Sequence, residues 1–343
     1  MTKKGLFYRF LIIVLIVTTG LLLVFRLING INPGQGKENI EIYIPTGAGY
    51  SQVLDTLISK NLIQSRSVFT WIASRKKYKS RVKPGRYIVN ENINYLNLIN
   101  LLRSGKQSPV KVTFNNARTL NDIAGKIGGQ IEADSLQIIT FLNEESNYLN
   151  DGFKKEQVIS VFLPDTYEFL WSTSAEGLYK RMYREYNNFW NQTRLGEAAK
   201  EGLNPLQVCI LASIIDDEVV KVEEKPRIAG VYFNRIKRGI PLQSCPTIKF
   251  AMNDFTITRI LDVYLKIDSP YNTYLHNGFP PGPIRCPSIE GIEAVLHAEK
   301  HDFIFFVAKA DFSGYHNFSR TLAEHNRYAN QYQKELDKRK IYR

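Results

Sequence analysis

Leu211-Ala212-Ser213-Ile214-Ile215-Asp216-Asp217-Glu218-Val219-Val220 (LASIIDDEVV) decides how the larger part of this chain is read. Three acids interrupt an apolar run. On a helix successive residues turn by about 100°, so positions i, i+3, i+4 and i+7 share a face. Leu211, Ile214, Ile215 and Glu218 then fall together, and Asp216 and Asp217 point elsewhere. Glu218 is the acid carried on the apolar face. Apolar neighbours disfavour the charged form of a carboxyl and raise its pKa. A carboxyl that stays protonated near neutral pH is what a general acid requires. Acids fanned around a helix do not converge on one ion, which argues against a metal. The stretch also admits a plainer reading. Lys221, Glu223, Glu224, Lys225 and Arg227 follow, and such helix ends are commonly solvated and ion-paired.

Outward from this helix, several loops place polar and aromatic groups among Pro and Gly. They are Phe162 to Tyr167 (FLPDTY), Leu242 to Thr247 (LQSCPT), Ser269 to Tyr274 (SPYNTY), Gly278 to Pro283 (GFPPGP) and His316 to Ser319 (HNFS). Rigid loops carrying Tyr, Asn, Gln and Thr suit the apolar faces and hydroxyls of sugars. Periodicity predicts helices over 120–127, 135–142, 178–190, 205–218, 226–237, 289–297 and 324–339, with strands at 110–114 and 303–307. Before them, 40–44 and 86–89 read as strands, and 51–58, 67–74 and 96–102 as helices. These form a small α+β module. Gly47-Ala48-Gly49 lies between a strand and a helix, but the third glycine of a dinucleotide fingerprint is missing.

The chain has 343 residues, 44% of them hydrophobic and 23% charged, which places it among globular proteins. A formal charge of +12 asks for an anionic partner: nucleic acid, a membrane surface or a polyanionic polymer. Phe10 to Phe25 is free of charge. Extended over 6–28, with Arg9 and Arg26 snorkelling, it predicts a transmembrane helix. Lys3, Lys4 and Arg9 precede it and put the N-terminus in the cytoplasm. A cleaved signal peptide is the alternative, but no small-residue cleavage site follows the run. Everything after about residue 30 is then expected outside the cytoplasm, which disfavours nucleic acid. No zinc-finger spacing or RNA-binding aromatic motif occurs either. Residues 29–39 read as a linker. Of the three cysteines, Cys209 reads as core, and Cys245 and Cys286, each before a proline, are candidates for a bridge in an oxidising compartment. His297 and His301 have an i, i+4 spacing, but the Glu of an H-E-x-x-H zinc motif is misplaced.

Taken in order, PDTYEF, LASIIDDE, AGVYFNRI, LQSCPTIKFA, SPYNTY, GFPPGPI and HNFSRTLAEHN resemble the MltG (YceG-like) family of endolytic murein transglycosylases. The resemblance implies an α+β protein: a transmembrane helix with its cytoplasmic tip over 1–28, a linker over 29–39, a LysM-like module over 40–107 and a catalytic domain over 108–343. It implies that Glu218 protonates the glycosidic oxygen between N-acetylmuramic acid and N-acetylglucosamine. The muramyl C6 hydroxyl then closes on C1, leaving a 1,6-anhydro end. One carboxyl can serve first as acid and then as base, whereas a hydrolase more often pairs two. Asp165 is the candidate for a second carboxyl. Gln243, Thr247, Tyr271, Asn272, Thr273 and Tyr274 match motif positions and are expected to line the glycan cleft with it. Asn234 and Arg235 match as cleft residues or as braces under Glu218, and His316 and His325 as braces. No cofactor or metal is implied. The expected partners are glycan strands, the membrane and peptidoglycan synthases; the expected location is a cell membrane, with the catalytic domain periplasmic in a Gram-negative cell.

The chain departs from the family pattern at Asp216 and Asp217, where the family has Glu and Lys, at Cys245, where it has Asp, and at Ile159-Ser160. Crowded acids should raise the pKa of Glu218 further by repulsion. A hydrolytic muramidase and a non-catalytic wall-binding scaffold are the competing functions. Glu218 argues against the scaffold.

Overall fold

The computed structural model describes residues 3–29, 39–90, 93–257 and 260–341. The linker expected at 29–39 lies outside these residues except at its two ends. The first helix, α1, runs Lys3–Asn29. Its side chains from Phe10 to Val17 are all exposed. Among the described residues no helix is long and apolar enough to cross a membrane.

The described chain is mixed α+β, with two-stranded sheets rather than one large one. It divides into two compact units. The first holds β1 (Asn39–Ile44), α2 (Tyr50–Ser59), α3 (Arg66–Arg75), β2 (Gly85–Asn90) and α4 (Tyr95–Ser104). β1 and β2 are antiparallel, in register from Asn39 opposite Asn90 to Ile44 opposite Gly85. Alternation along these strands turns Ile42, Ile44, Tyr87 and Val89 inward. They meet Val53, Leu54 and Leu57 of α2, Phe69 and Ile72 of α3, and Leu98, Ile99 and Leu102 of α4. Asn94 caps α4 by accepting from Asn97 N, and Gly105 ends it at φ 74°, a left-handed value that suits glycine. Gly47 and Gly49 belong to the tight turn after β1, where Ala48 N donates to Pro45 O at 3.1 Å.

This unit is not the contiguous stretch 40–107. It runs to Val112 and adds residues 130–133 and 167–173. Glu132 accepts from Thr46 N (2.5 Å) and Thr46 Oγ1 (2.6 Å), and Trp171 packs edge-on against Tyr43 at 5.1 Å. Periodicity does not reveal such returning segments, because the contacts are long-range.

β3 (Val110–Phe114) pairs with β4 (Asp165–Phe169). The second unit holds α5 (Leu120–Ile127), α6 (Ser135–Asn143), α7 (Ala175–Phe189), α8 (Gln192–Lys200), α9 (Pro205–Glu218), α10 (Lys225–Lys237), α11 (Cys245–Met252), α12 (Ile289–Leu296), β5 (Phe305–Ala308), β6 (His316–Ser319) and α13 (Leu322–Lys338). Its centre is α9. Asn204 and Gln207 form a capping box around Pro205 at the first turn. Every residue from Val208 to Ile215 is buried, against α8, α10, α11 and α12. A helix apolar all round belongs in a core, and each buried Leu or Ile contributes about 1.5–3 kcal/mol.

α8, α11, β4 and β6 fall where loops or no element were expected. Pro246 explains α11: proline suits the first helical turn, where its missing N–H costs nothing. β5 and β6 form an antiparallel hairpin from Phe305 opposite Ser319 to Ala308 opposite His316.

Candidate active site

The three acids at the end of α9 meet three different surroundings. Asp216 Oδ1 accepts from Lys225 Nζ (2.6 Å) and Ser288 Oγ (2.7 Å), and Oδ2 accepts from Ser288 N (2.7 Å). It thus docks at the N-terminus of α12, where the helix dipole favours an anion. Gly291 makes room for it: a Cβ there would lie 2.5 Å from Asp216 Oδ1. Asp217 is held by Arg118, through both guanidinium nitrogens, and by Arg285 Nη1 at 2.6 Å. Both side chains are under one-tenth exposed.

Glu218 has no cation in direct contact among the described residues. Its Oε1 accepts from Ser244 Oγ (2.6 Å) and Tyr232 OH (3.0 Å). Glu218 is half-buried. Burial pushes its pKa up. The two hydroxyls and the imidazole of His316 oppose that rise, and repulsion from Asp217 adds the smallest contribution. The crowding of acids is therefore a minor cause, because Arg118, Arg285 and Lys225 neutralise the two aspartates.

Ser244 is the N-cap of α11, but its hydroxyl makes no cap hydrogen bond and turns to Glu218 instead. A second layer holds it. Ser244 N donates to Thr273 Oγ1 (3.0 Å), Thr247 Oγ1 donates to Ser244 O (2.7 Å), and the two threonine hydroxyls meet at 2.8 Å. Asn272 donates to Leu265 O (3.0 Å) and Ile267 O (2.8 Å) and accepts from Tyr274 N (2.9 Å). Thr247, Asn272 and Thr273 are buried, at most 2% exposed. That corrects their expected place: their polar groups are spent on the loops, and they position rather than line the site.

Gln243 is exposed in part through its left-handed backbone turn, φ 53°. Its N donates to Thr273 O (3.0 Å) and its Oε1 accepts from Arg235 Nη2 (2.6 Å). Arg235 also donates to Leu242 O at 3.2 Å, so it braces this loop. Tyr271 packs on Phe250 with ring centroids 4.7 Å apart. Tyr274 OH meets Cys245 Sγ at 3.2 Å, and burial pushes that thiol up to about 11. All three cysteines are free, which removes the expected candidate bridge.

Asp165 makes no hydrogen bond to this set among the described residues. It is exposed, and its Oδ1 accepts from its neighbour Thr166 N at 2.6 Å. Asn234 donates to His301 O and Phe303 O, His316 Nδ1 donates to Glu224 Oε2 at 2.9 Å, and His325 stacks on Phe305. His301 donates to Arg227 O at 2.8 Å, while His297 is exposed beside Glu293 and Glu197. The two zinc-spaced histidines therefore serve separate partners. Tyr232 and Ser244 lie inside motifs read from the sequence, AGVYFNRI and LQSCPT, yet neither was singled out. Only the tertiary approach of α10 and α11 to the end of α9 brings them to Glu218.

The fold and this site define a member of a known class: the YceG-like family model matches residues 42–331, and the chain belongs to that family. Among its relatives, the endolytic murein transglycosylase of Bacillus subtilis (strain 168) is 31% identical over 314 residues, spanning 86% of this chain and 85% of that protein. The endolytic murein transglycosylases of Streptococcus pneumoniae strains D39 and R6 are 27% identical over 304 residues, spanning 79% of this chain but 54% of theirs. A crystal structure of a YceG-like protein from Listeria monocytogenes is similar with a TM-score of 0.55 and 27% identity, over 85% of this chain and 99% of that one.

Proposed function

We propose that this chain is a lytic transglycosylase that cuts within peptidoglycan glycan strands, with Glu218 as its acid and base. The names carried by the relatives support the reaction class. The observation that carries the residue is a carboxyl held only by hydroxyls, its pKa raised by burial, with Oε2 receiving no hydrogen bond among the described residues. Protonated Glu218 gives its proton to the glycosidic oxygen as the bond from that oxygen to muramyl C1 breaks. The carboxylate then takes the proton of the muramyl C6 hydroxyl as that oxygen bonds to C1. No water is consumed. Ser244 and Tyr232 hold Oε1 in both steps and leave Oε2 to carry the proton.

A hydrolase would hold a second carboxyl roughly 5–10 Å away to attack or to activate water. Asp216 and Asp217 are both ion-paired and so poorly placed to act as a second carboxyl, and Asp165 shares no hydrogen bond with Glu218 or its partners among the described residues. This favours ring closure over hydrolysis. Gln243, Tyr271 and Tyr274 are the expected positions that remain for sugar contact, with Asp165 a further candidate.

The strand-helix-helix-strand order of β1, α2, α3 and β2 supports a LysM-like module. The exposed apolar side chains of α1 suit lipid better than water, which supports a single-pass anchor with the rest of the chain extracytoplasmic. Termination of strand growth beside peptidoglycan synthases follows from the family resemblance. Digestion in water enriched in oxygen-18 tests the reaction. Ring closure leaves the new muramyl end unlabelled, and incorporation of one labelled oxygen would make the enzyme a hydrolase.

A further inference from the structure

Charge is divided unevenly along the chain. Residues 39–112 carry twelve Lys and Arg against three Asp and Glu, whereas residues 113–343 carry 28 against 29. Half of those twelve lie within nine residues, at Arg75, Lys76, Lys77, Lys79, Arg81 and Lys83, with no acid among them. The chain here leaves α3 and turns toward β2. Arg81 and Lys83 line a recess of about 580 Å³ with Ser80, Asn100, Arg103 and Ser104.

Arg103 is oriented by donation from Nη1 to Lys76 O at 3.2 Å. Among the described residues no carboxylate pairs with Arg81, Lys83 or Arg103. The recess lies at the C-terminal end of α4, whose carbonyls carry about half a negative charge. One cation would offset that, and three leave a positive surplus. Ser80 Oγ and Ser104 Oγ donate to Lys77 O (3.5 Å) and Leu101 O (2.7 Å), so the donors that face a ligand are the two guanidinium groups, the Lys83 ammonium and the Asn100 amide, a set that suits a phosphate oxyanion. The flanking Lys76, Lys77 and Lys79 extend the positive potential beyond one group, as a repeating anion requires.

We infer that this recess is a binding site for phosphodiester groups presented in series along an anionic polymer. The site is in the first compact unit and does not rest on the glycan reading. Its test uses the purified full chain and two probes: poly(glycerol phosphate), and phosphatidylglycerol vesicles with phosphatidylcholine vesicles as the neutral reference. The variant Arg81→Gln/Lys83→Gln/Arg103→Gln is compared with Lys76→Gln/Lys77→Gln/Lys79→Gln, which removes the same charge outside the recess. The recess variant should weaken binding about tenfold or more, and the flanking variant by clearly less. Loss on the polymer probe sustains the site, and loss on the vesicles alone would overturn the polymer ligand in favour of a headgroup layer. Equal weakening by both variants, or none, would overturn the site by showing a diffuse charged face. If the recess triple fails to fold, the exposed pair Arg81→Gln/Lys83→Gln is compared with Lys76→Gln/Lys77→Gln, which removes the same charge.

Discussion

The last turn of α9 puts carboxyls on three consecutive residues and matches every one of them. The turn from Arg75 to Lys83 puts six cations on nine residues, and none meets a carboxylate among the described residues. In the first region Lys225 and the two arginines hold Asp216 and Asp217 as structure. Only Glu218 is matched by hydroxyls rather than cations, and burial shifts its pKa upward. In the second region Arg75 and Lys79 lie over the rings of Trp71 and Tyr50, at 5.7 and 5.3 Å, and no cation is neutralised by a carboxylate among the described residues, so the positive charge stays available to a ligand. Sequence alone gives both regions the same description, a run of charges at a helix end. The partners tell them apart.

The largest way to break the contrast is to unmatch a structural acid. Asp216→Ala leaves the Lys225 ammonium buried without its partner, and loss of one member of a buried pair costs about 3 kcal/mol or more. A lowered urea midpoint for the second unit checks this; an unchanged midpoint would mean that Asp216 is not a structural pair. Next, Ser244→Ala removes the shorter hydrogen bond to Glu218. The carboxyl then loses its fixed orientation, and kcat should fall about tenfold to a hundredfold, with KM changed less.

Tyr232→Phe sharpens the comparison more finely. Tyr232 stabilises the charged form of Glu218, so its loss lets that pKa rise. The acid then stays protonated to higher pH, and the alkaline limb of kcat/KM moves upward. A limb that stays in place would show that Glu218 is not the group titrating. The smallest effect is on stability. Folding raises the pKa of Glu218, so the native state binds more protons than the unfolded chain between the two values. Stability from this group is present in acid and is lost as pH rises through the folded pKa. Glu218→Gln is exempt, and its melting temperature should exceed the wild type's by about 1–3 °C at neutral pH, the gap closing in acid.

Much of the larger unit was legible because its helices are punctuated locally. Asn204-Pro205 starts α9 where the apolar run begins, and α5 ends at Ile127 before Gly128-Gly129 as its pattern says. The separate apolar face expected for Glu218 is absent: α9 is buried all round, the Asp216 and Asp217 side chains are under one-tenth exposed, and partners rather than spacing set the three acids apart. α11 was not legible, because Ser-Cys-Pro-Thr reads equally as a rigid loop until its helical turns are seen. The roles of Thr247, Asn272 and Thr273 were misjudged for a related reason. Polar residues in a Pro-rich loop look like surface, and only the fold shows their hydroxyls and amide turned inward to hold Ser244. Tyr232 was hidden because α10 carries it fourteen residues away from Glu218.

The central claim is that Glu218, alone among the carboxyls of the site, performs the cleavage. Its most direct test is mass spectrometry of glycan strands digested by the full chain, beside its Glu218→Gln variant. The account predicts 1,6-anhydro-muramyl ends from the wild type and none from the variant, which still folds. Anhydro ends in equal yield from both proteins would contradict it.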